Sequence, residues 1–330
     1  MSANTISAFG EADEFLAALK EVGYRQIVVT QAGAYLARMT RITLDHVRLS
    51  FVEEQLSRIA SVVLAPGMTR ILLPPVRGRI LCGGVGTDGR YIVTQGVGQR
   101  VIERLEGPCW WRDIVISSGY ISKFGHALTG TPITVPSTVH VWHPTARALK
   151  ALSALHAAAT WVTETHPGAQ HSQQASHGLE QELIDRVANC LSGGPIGVHE
   201  TQGERCPGII AKFAESIDTF RDELPPIAHI CQELNIDERL LRRCCHAHLG
   251  LRPVRYLRVL RMQRVRRALQ NGTCRTTTVT EVVQRYGCGQ VGRFATEYRA
   301  LYGELPSQTL RRSKDGSVFE RQAQELHKHA

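Results

Sequence analysis

The 330-residue sequence lacks several features that would assign it to common protein classes. It has no run of eighteen apolar residues, the length that a membrane-spanning helix needs. Its first sixteen residues lack the basic start, apolar stretch and small-residue cleavage site of a signal peptide, so we expect none. No paired carboxylates, nucleophile motif or metal-ligand spacing stands out. We therefore expect no membrane association, no enzyme chemistry and no cofactor.

Cysteine occurs nine times, an odd number, and never in a C-x-x-C pair. This pattern argues against both a disulfide framework and a zinc ribbon, and a reducing cytoplasm is the expected compartment. Cys244 and Cys245 are adjacent in a predicted helix, and vicinal cysteines rarely form a structural disulfide. We predict that Cys245 is buried and Cys244 partly exposed, with redox sensing as the alternative role.

Lysine is nearly absent from the C-terminal third. Residues 205–312 contain 19 basic and 10 acidic side chains, and every basic one except Lys212 is arginine. The rest of the chain is neutral, so all nine net positive charges lie in this segment. Because the planar guanidinium suits phosphate and guanine edges, this concentration predicts an acidic partner.

The N-terminal half has the pattern of a β-rich domain. After an acidic helical segment around Glu11 to Lys20, short β-rich runs are broken by glycine and proline. Strands at such spacing predict an all-β barrel or sandwich. Examples of the predicted strands are residues 25–30, 47–51, 70–73, 79–81, 90–94 and 138–142.

Two amphipathic helices follow, over residues 145–165 and 179–191, joined by a polar stretch over 166–178 that we expect to be mobile. Because repeated leucines on a short helix need a partner, we predict that these helices dimerise; the alternative is that they belong to the core of the β-rich domain. Their leucine-face residues are Leu149, Leu152, Leu155, Ala159, Leu179, Leu183, Val187 and Leu191.

Residues 226–250 predict a helix-turn-helix unit. A helix from Ile227 to Glu233 ends in a tight connection at Asn235, a residue that tolerates left-handed backbone angles. Asp237 then offers an N-cap for a second helix. On that helix Leu241 and Cys245 share one face, and the remaining surface is basic.

The pattern recurs in residues 277–312, with a helix from Thr280 to Arg285 and a second helix from Gln290 to about Tyr302. The segment between the two units, Pro253 to Gln270, is helical by its apolar spacing, and its eighteen residues give a rod of roughly 27 Å. Successive major-groove faces on one side of DNA lie about 34 Å apart. The rod can therefore hold two recognition helices in adjacent major grooves.

Residues 209–312 resemble the DNA-binding domain of the AraC/XylS family of bacterial transcription regulators. The D-x-R-x-L-x-R run from Asp237 to Arg243 carries the resemblance, together with Gly250, Pro253, Tyr256, Arg261, Val279 to Val283, Gly287 and the stretch GRFATEYRALYGELPSQTL over 292–310. That last stretch resembles the branch with benzoate- and ethanolamine-responsive regulators. Cys245 and Cys288 stand where the family usually has phenylalanine, and Thr296 where many members have arginine.

Eight residues follow as candidate DNA contacts. On the first predicted recognition helix they are Arg239, Arg242, Arg243 and His246. The alternative to DNA contact is that these residues form a basic helix face exposed only to solvent. On the second they are Gln290, Arg293, Thr296 and Arg299. Because Gly292 and Ala295 leave the second helix short of hydrogen-bonding side chains, its main role is expected to be anchoring on the DNA backbone.

Two further motifs are rejected as ligand sites. Gly84-x-Gly86-x-x-Gly89 matches the dinucleotide fingerprint, but no helix is predicted after Gly89 to bind a pyrophosphate, so a glycine-rich hairpin is the better interpretation. His140 and His143 flank a tryptophan at a strand end and should point to opposite faces, which argues against shared metal ligation.

We therefore predict an α+β chain with a β-rich, cupin-like effector-sensing domain over 1–144, a helical dimerisation and linker segment over 145–208, an AraC-type double helix-turn-helix domain over 209–312, and a polar tail over 313–330. The resemblance implies a cytoplasmic, homodimeric transcription activator that binds promoter DNA, an unknown small-molecule effector and RNA polymerase. The alternatives are a cupin-type metalloenzyme with an appended helical domain, which needs a third ligand beside the two histidines, and a DNA-architectural protein without an effector.

Overall fold

The computed structural model describes residues 3–129 apart from 88, 97 and 99, residues 138–166, residues 173–196 apart from 193, residues 205–272 and residues 277–312. It combines an antiparallel β-rich part and a helical part, which confirms the predicted α+β class. The predicted tail over 313–330 lies outside the described residues. No helix within the described ranges is both long and apolar enough to cross a membrane.

All described strand pairs of the N-terminal part belong to one branched antiparallel sheet, in the order β1-β3-β4-β9-β6-β8-β10-β11. Strand β5 pairs with β9, β2 pairs with β5, and β7 pairs with β6. The long strand β9 pairs with β5 over its first residues and with β4 over its last ones. The strands are β1 Ala3–Phe9, β2 Tyr24–Val29, β3 Ala37–Thr43, β4 Val47–Glu54, β5 Arg58–Val63, β6 Met68–Cys82, β7 Val85–Gly86, β8 Ile92–Gln95, β9 Arg100–Ser117, β10 His140–Trp142 and β11 Pro195–Ile196.

Alternation along the strands gives the sheet an inner and an outer face. The inner face carries a core that includes Leu72, Val101 and Trp111, and the outer face carries residues such as Ile71 and Ile114. The predicted strands 70–73 and 79–81 are in fact one strand, β6. Prolines 74 and 75 cannot donate to the ladder, so the register shifts there instead of the strand ending.

The glycine-rich hairpin prediction is confirmed. Leu81 pairs with Gly86 and Cys82 with Val85, and Gly83 and Gly84 make the turn with φ of +60° and +86°. Gly84 also meets the helical part: an added Cβ would lie 2.4 Å from the ring of His248. Glycine is therefore required here both by backbone angle and by space.

Three helices cover the outer face of the sheet: α2 Ser118–Thr129, α3 Ala146–Thr165 and α4 Gln173–Leu191. Helix α1 Ala12–Leu19 instead packs its buried residues into the core of the inner face. The predicted mobile stretch 166–178 is partly wrong, because α4 begins at Gln173. Leu152, Leu183 and Val187 are fully buried against Ile71 and Ile114 of the sheet. The prediction that the leucine faces dimerise is wrong for these residues, because the chain's own sheet already covers them.

The helical part begins at residue 205. Its helices are α5 Arg205–Thr219, α6 Ile227–Leu234, α7 Glu238–Leu249, α8 Pro253–Asn271, α9 Val279–Arg285, α10 Val291–Tyr302 and α11 Pro306–Arg312. Leu241, Val265 and Tyr298 lie fully buried in its shared core. The two predicted helix-turn-helix units correspond to α6-α7 and α9-α10.

A disulfide joins Cys206 of α5 to Cys244 of α7 across 38 residues of sequence, with Cα atoms 5.0 Å apart. The expectations of no disulfide and of a partly exposed Cys244 are therefore wrong, since Cys244 is fully buried. The packing of α5 against α7 brings the two cysteines together, and sequence spacing does not report that contact. Cys245 is buried as predicted.

The two parts dock through three strands. Val28 of β2, Ile59 of β5 and Ile102 of β9 point outward into the core of the helical part. Polar contacts surround this apolar centre. Gln263 Nε2 donates to Ile27 O at 2.6 Å, and Tyr256 Oη donates to Gln26 Oε1 at 3.1 Å.

An acidic turn at the start of α1 extends this interface. Arg266 Nε donates to Glu11 at 3.1 Å, and Arg267 Nε donates to Asp13 at 2.9 Å. Both arginines therefore belong to the contact between the two parts.

Candidate nucleic-acid interface

The angle between α6 and α7 is fixed by local backbone chemistry. Asn235 has a φ of +51°, the one positive value at a non-glycine position among the described residues. The N–H of Ile236 donates to Cys231 O at 3.0 Å. The Asp237 carboxylate accepts from Leu240 N at 2.7 Å and caps α7, which ends at Gly250 in the left-handed conformation. The turn at Asn235 and the cap at Asp237 are as predicted.

Helix α7 separates an apolar and a basic side. Leu241, Cys244 and Cys245 are fully buried on one side. The four candidate DNA contacts Arg239, Arg242, Arg243 and His246 are all exposed. Arg242 donates to Glu238 one turn earlier at 2.8 Å, whereas neither Arg239 nor Arg243 has a salt bridge within the described ranges. Two guanidiniums on this surface are thus available to an anion.

Burial sets the chemistry of the neighbouring side chains. Desolvation raises the pKa of the Cys245 thiol to about 12, so this cysteine is an inert core residue near neutral pH. Burial, with the nearby Arg104, lowers the pKa of His248. His248 therefore contributes packing against Gly84 and not positive charge.

The second unit is built by similar means. Thr278 and Glu281 form a reciprocal capping box at the start of α9, and Gly287 turns the chain with a φ of +63°. Phe294 and Tyr298 anchor α10 in the core. The exposed side of α10 and its N-cap carry the other four candidates, Gln290, Arg293, Thr296 and Arg299.

Two of these candidates already have partners within the chain. The Thr296 hydroxyl donates to Gly292 O at 3.2 Å, which engages its only hydrogen. Arg293 Nε donates to Glu297 at 3.3 Å. The second surface is therefore less free to bond with bases than α7.

Helix α8 joins the two units as a rod of 19 residues, about 28 Å long. Several of its arginines hold the helical part together: Arg261 donates to Leu224 O at 3.0 Å and Arg264 to Phe220 O at 2.6 Å. Arg258 instead contacts Glu297 of α10. Sequence reasoning did not single out Arg258 and Glu297 as a pair, because they lie far apart in sequence.

A second polar site lies on the inner face of the sheet and was not predicted. We call it the interior ion cluster: Arg58, Arg70, Glu54, Glu103 and Asp113, all buried. Arg58 Nε donates to Glu54 at 3.0 Å, and Arg70 Nε donates to Asp113 at 2.6 Å. Glu103 contacts both arginines. Charged residues inside β-rich runs were the available signal for this cluster.

Aromatic side chains complete the interior ion cluster. Trp111 Nε1 donates to Glu54 at 2.7 Å, Tyr35 Oη to Glu54 at 3.0 Å and Tyr24 Oη to Glu103 at 2.9 Å. Burial raises the pKa of both tyrosines well above the ordinary value, so they act as donors. Burial would raise the pKa of Glu103, but the attraction of Arg70 and Arg58 outweighs it and lowers that pKa.

Two buried atoms of the interior ion cluster lack a hydrogen-bond partner within the described structure: Arg58 Nη2 and Asp113 Oδ1. Three carboxylates face two guanidiniums there, so the cluster carries one formal negative charge. An unpaired donor and an unpaired acceptor in a dry interior are costly unless a further polar group completes them.

The rejected histidine pair shows no shared contact. His140 Nδ1 lies 3.0 Å from the hydroxyl of Thr138, and the ring of His143 packs 5.1 Å from that of Tyr91. Within the described part of the chain, no group of three or more histidine, cysteine or acidic residues could hold a metal ion.

Comparison with known proteins adds four findings from sequence and one from structure. A family model described as a helix-turn-helix domain matches residues 230–312. XylDLEGF operon transcriptional activator 2 of Pseudomonas putida is 40% identical over 109 residues, which cover 33% of this chain and 68% of that protein. XylDLEGF operon transcriptional activator 3 of the same organism is 32% identical over 138 residues, which cover 41% of this chain and 39% of that protein. The probable thc operon regulatory protein of Rhodococcus erythropolis is 32% identical over 105 residues, which cover 32% of each chain.

The chain thus spans only about a third of the length of two of these three relatives. Among solved structures, the AraC-like transcriptional activator CuxR is 10% identical with a TM-score of 0.44, over 79% of this chain and 94% of that chain.

Proposed function

The chain belongs to the AraC/XylS family of transcription regulators, and from this premise we propose that it binds promoter DNA with two helix-turn-helix units under the control of a small-molecule effector. The observation that carries the proposal is the pair of exposed basic surfaces on α7 and α10, joined by a rod of about 28 Å. The net charge of the segment supports the same partner.

The two surfaces have different proposed roles. Arg239, Arg242, Arg243 and His246 on α7 read bases and contact phosphates in one major groove. On α10, Gln290, Arg293, Thr296 and Arg299 mainly anchor the backbone in the next groove. The internal partners of Thr296 and Arg293 support this division, because a side chain already bonded within the protein gains less from a base edge.

We propose the interior ion cluster as the place where an effector acts. Its two unpaired atoms, one donor and one acceptor, would each be satisfied by a polar group of an effector bound on the inner face of the sheet. Arg58 and Glu103 point inward from β5 and β9, while their neighbours Ile59 and Ile102 point outward into the helical part. Because the inward and outward residues are adjacent in the chain, a rearrangement of the interior ion cluster would move the side chains at the interface. It would thereby shift the population of docked states.

A homodimer is proposed through a different surface from the leucine faces. The side of α3 turned away from the sheet exposes Ala154, Ala157, Ala158 and Trp161, and Trp161 is 61% exposed. Exposed tryptophan is common in protein interfaces. Segments 1–144, 145–208 and 209–312 remain the proposed sensing, linking and DNA-binding units.

The remaining partners follow from the family and from the names of the Pseudomonas relatives, which are transcriptional activators. We propose activation through contact with RNA polymerase, in the cytoplasm, where promoter DNA lies.

Selection from a random-sequence duplex library with the purified chain tests DNA binding directly. We expect one enriched sequence with two half-elements about one helical turn apart. Genome-wide occupancy with and without candidate effectors then links target and ligand. A library from which no sequence is enriched, together with weak binding to all duplexes, would refute the proposed function.

A further inference from the structure

Glu297 is an unexpected residue on the second DNA-facing helix. It is the one acidic residue of α10, a helix that also carries Arg293 and Arg299. A carboxylate on such a surface repels phosphate, so its presence weakens general attraction to DNA. Its side chain is 26% exposed and lies between two arginines from two helices.

The contacts of Glu297 are specific in geometry. Arg258 of α8 donates from Nε to Glu297 Oε2 at 2.5 Å, and its Nη2 contacts Oε1 of the same carboxylate. This is the two-pronged pairing that orients a guanidinium most firmly. Arg293 Nε donates to Oε1 at 3.3 Å from one turn earlier on α10. One carboxylate thus holds two guanidiniums side by side.

Arg258 is placed for a role outside the protein core. It lies five residues before Gln263, the α8 residue that bonds to β2, so the two side chains leave the helix about 140° apart. It therefore points away from the docked N-terminal part, and 47% of its side chain is exposed. Other α8 arginines are engaged elsewhere, with Arg264 on a backbone carbonyl and Arg266 on Glu11.

We propose that Glu297 is a positioning and specificity-determining residue for DNA binding by the second helix-turn-helix unit. It fixes Arg258 and Arg293 as a pair directed at the DNA backbone beside α10. Because the pair is pre-oriented, less side-chain entropy is lost on correctly seated DNA. On other DNA sequences the two arginines do not reach the backbone phosphates, and the Glu297 carboxylate then only repels those phosphates. The inference rests on the proposed function and adds Arg258 to the backbone contacts.

The test uses the full chain and two duplexes: the one that the wild type enriches from a random library, and a scrambled version of it. We expect Glu297→Ala to weaken binding to the enriched duplex by about three- to tenfold, the scale of one lost pre-oriented side chain. Binding to the scrambled duplex should be unchanged or tighter. Glu297→Gln keeps an acceptor without the charge, so its loss on the enriched duplex should be smaller.

A double-mutant cycle separates positioning from simple repulsion. Arg258→Ala should weaken binding to the enriched duplex and reduce the slope of log affinity against log salt by about 0.9, one phosphate contact. Adding Glu297→Ala to it should cost less than Glu297→Ala costs in the wild type, because only Arg293 then remains for Glu297 to position. Asp222→Asn is the matched control. It removes one acidic charge from the exposed 2.9 Å pair with Arg285, and it should not change the preference between the duplexes.

Equal changes on both duplexes in Glu297→Ala and Glu297→Gln would overturn the inference, and so would additive effects in the cycle. Such results would leave the proposed function intact, because the wild type would still prefer its enriched duplex. Failure of the wild type to enrich any sequence would refute the proposed function and this inference together.

Discussion

Replacing Arg70 by methionine should destabilise the β-rich part by about 3–5 kcal/mol, the cost of removing one partner from a buried ion pair. Arg70 is 1% exposed. It donates to Asp113 at 2.6 Å and to Tyr24 Oη at 2.8 Å, and it contacts Glu103. Methionine fills similar space but supplies no donor. Glu103 would keep Arg58, whereas Asp113 has no other salt bridge within the described residues.

The loss of stability caused by Arg70→Met should depend on pH in a defined direction. In the wild type, Arg70 and Arg58 outweigh burial and lower the pKa of Glu103 below its ordinary 4.5, so its ionisation contributes stability above pH 4.5 that is lost as the pH falls further. Without Arg70, burial is less opposed and the pKa of Glu103 rises. Protonation of Glu103 then removes one of three carboxylate charges that Arg58 alone does not balance, as the pH falls towards 4.5. The gap in stability between variant and wild type should therefore be narrower at pH 5 than at pH 8.

Urea unfolding followed by tryptophan fluorescence measures this change. All four tryptophans precede residue 167, so the signal reports the N-terminal part. Arg79→Met is the matched control, because it removes an arginine from the exposed pair with Glu106 at 3.3 Å and should cost less than about 1 kcal/mol. If Arg70→Met costs no more than the control, or if its cost does not shrink at pH 5, the reasoning about the interior ion cluster is wrong.

Four further predictions follow from the same structure. Arg243→Ala should weaken binding to the enriched duplex by about 1–3 kcal/mol and relax preference at one base pair; an equal loss on scrambled DNA would make it a phosphate contact. The isolated segment 205–312 should be helical by circular dichroism and bind DNA with steep salt dependence, and a flat slope would contradict the charge argument. Leu152→Asp should unfold the N-terminal part, since it buries a charge against the sheet; a folded monomer by light scattering would instead restore the leucine-face dimer. Cys244→Ser should lower the unfolding free energy of the helical part by about 3–4 kcal/mol and abolish any effect of reductant, for a disulfide with Cys206 that closes 38 residues.

The helix-turn-helix units were predictable because their signals are local. Asn235 turns the chain, Asp237 caps α7 and Gly250 ends it, and each acts within about four residues of its own position. The exposed basic side of α7 follows from helical periodicity once Leu241 is assigned to the core. The same reasoning could not recognise that Arg258 and Glu297, 39 residues apart, form one pair.

The β-rich part was predicted less completely, because strands depend on partners distant in sequence. The extent of strand β9 was not predicted, although it pairs with three other strands, since its charged residues break the apolar alternation. Glu103 and Asp113 on that strand are inside the sheet because Arg58 and Arg70 face them. A sequence pattern that assigns charged residues to the surface cannot detect such compensation.

The sequence by itself determined the ends of α7, the two helix-turn-helix units, the basic surface of α7 and the class of the fold, because caps, turns and periodicity act over a few residues. Only the tertiary structure decided that the face of Leu152 packs on the sheet, that Cys206 bonds to Cys244, and that Arg266 holds the helical part against Glu11. These contacts join residues dozens to hundreds of positions apart, and their energy depends on the packing of whole elements, which no local pattern specifies.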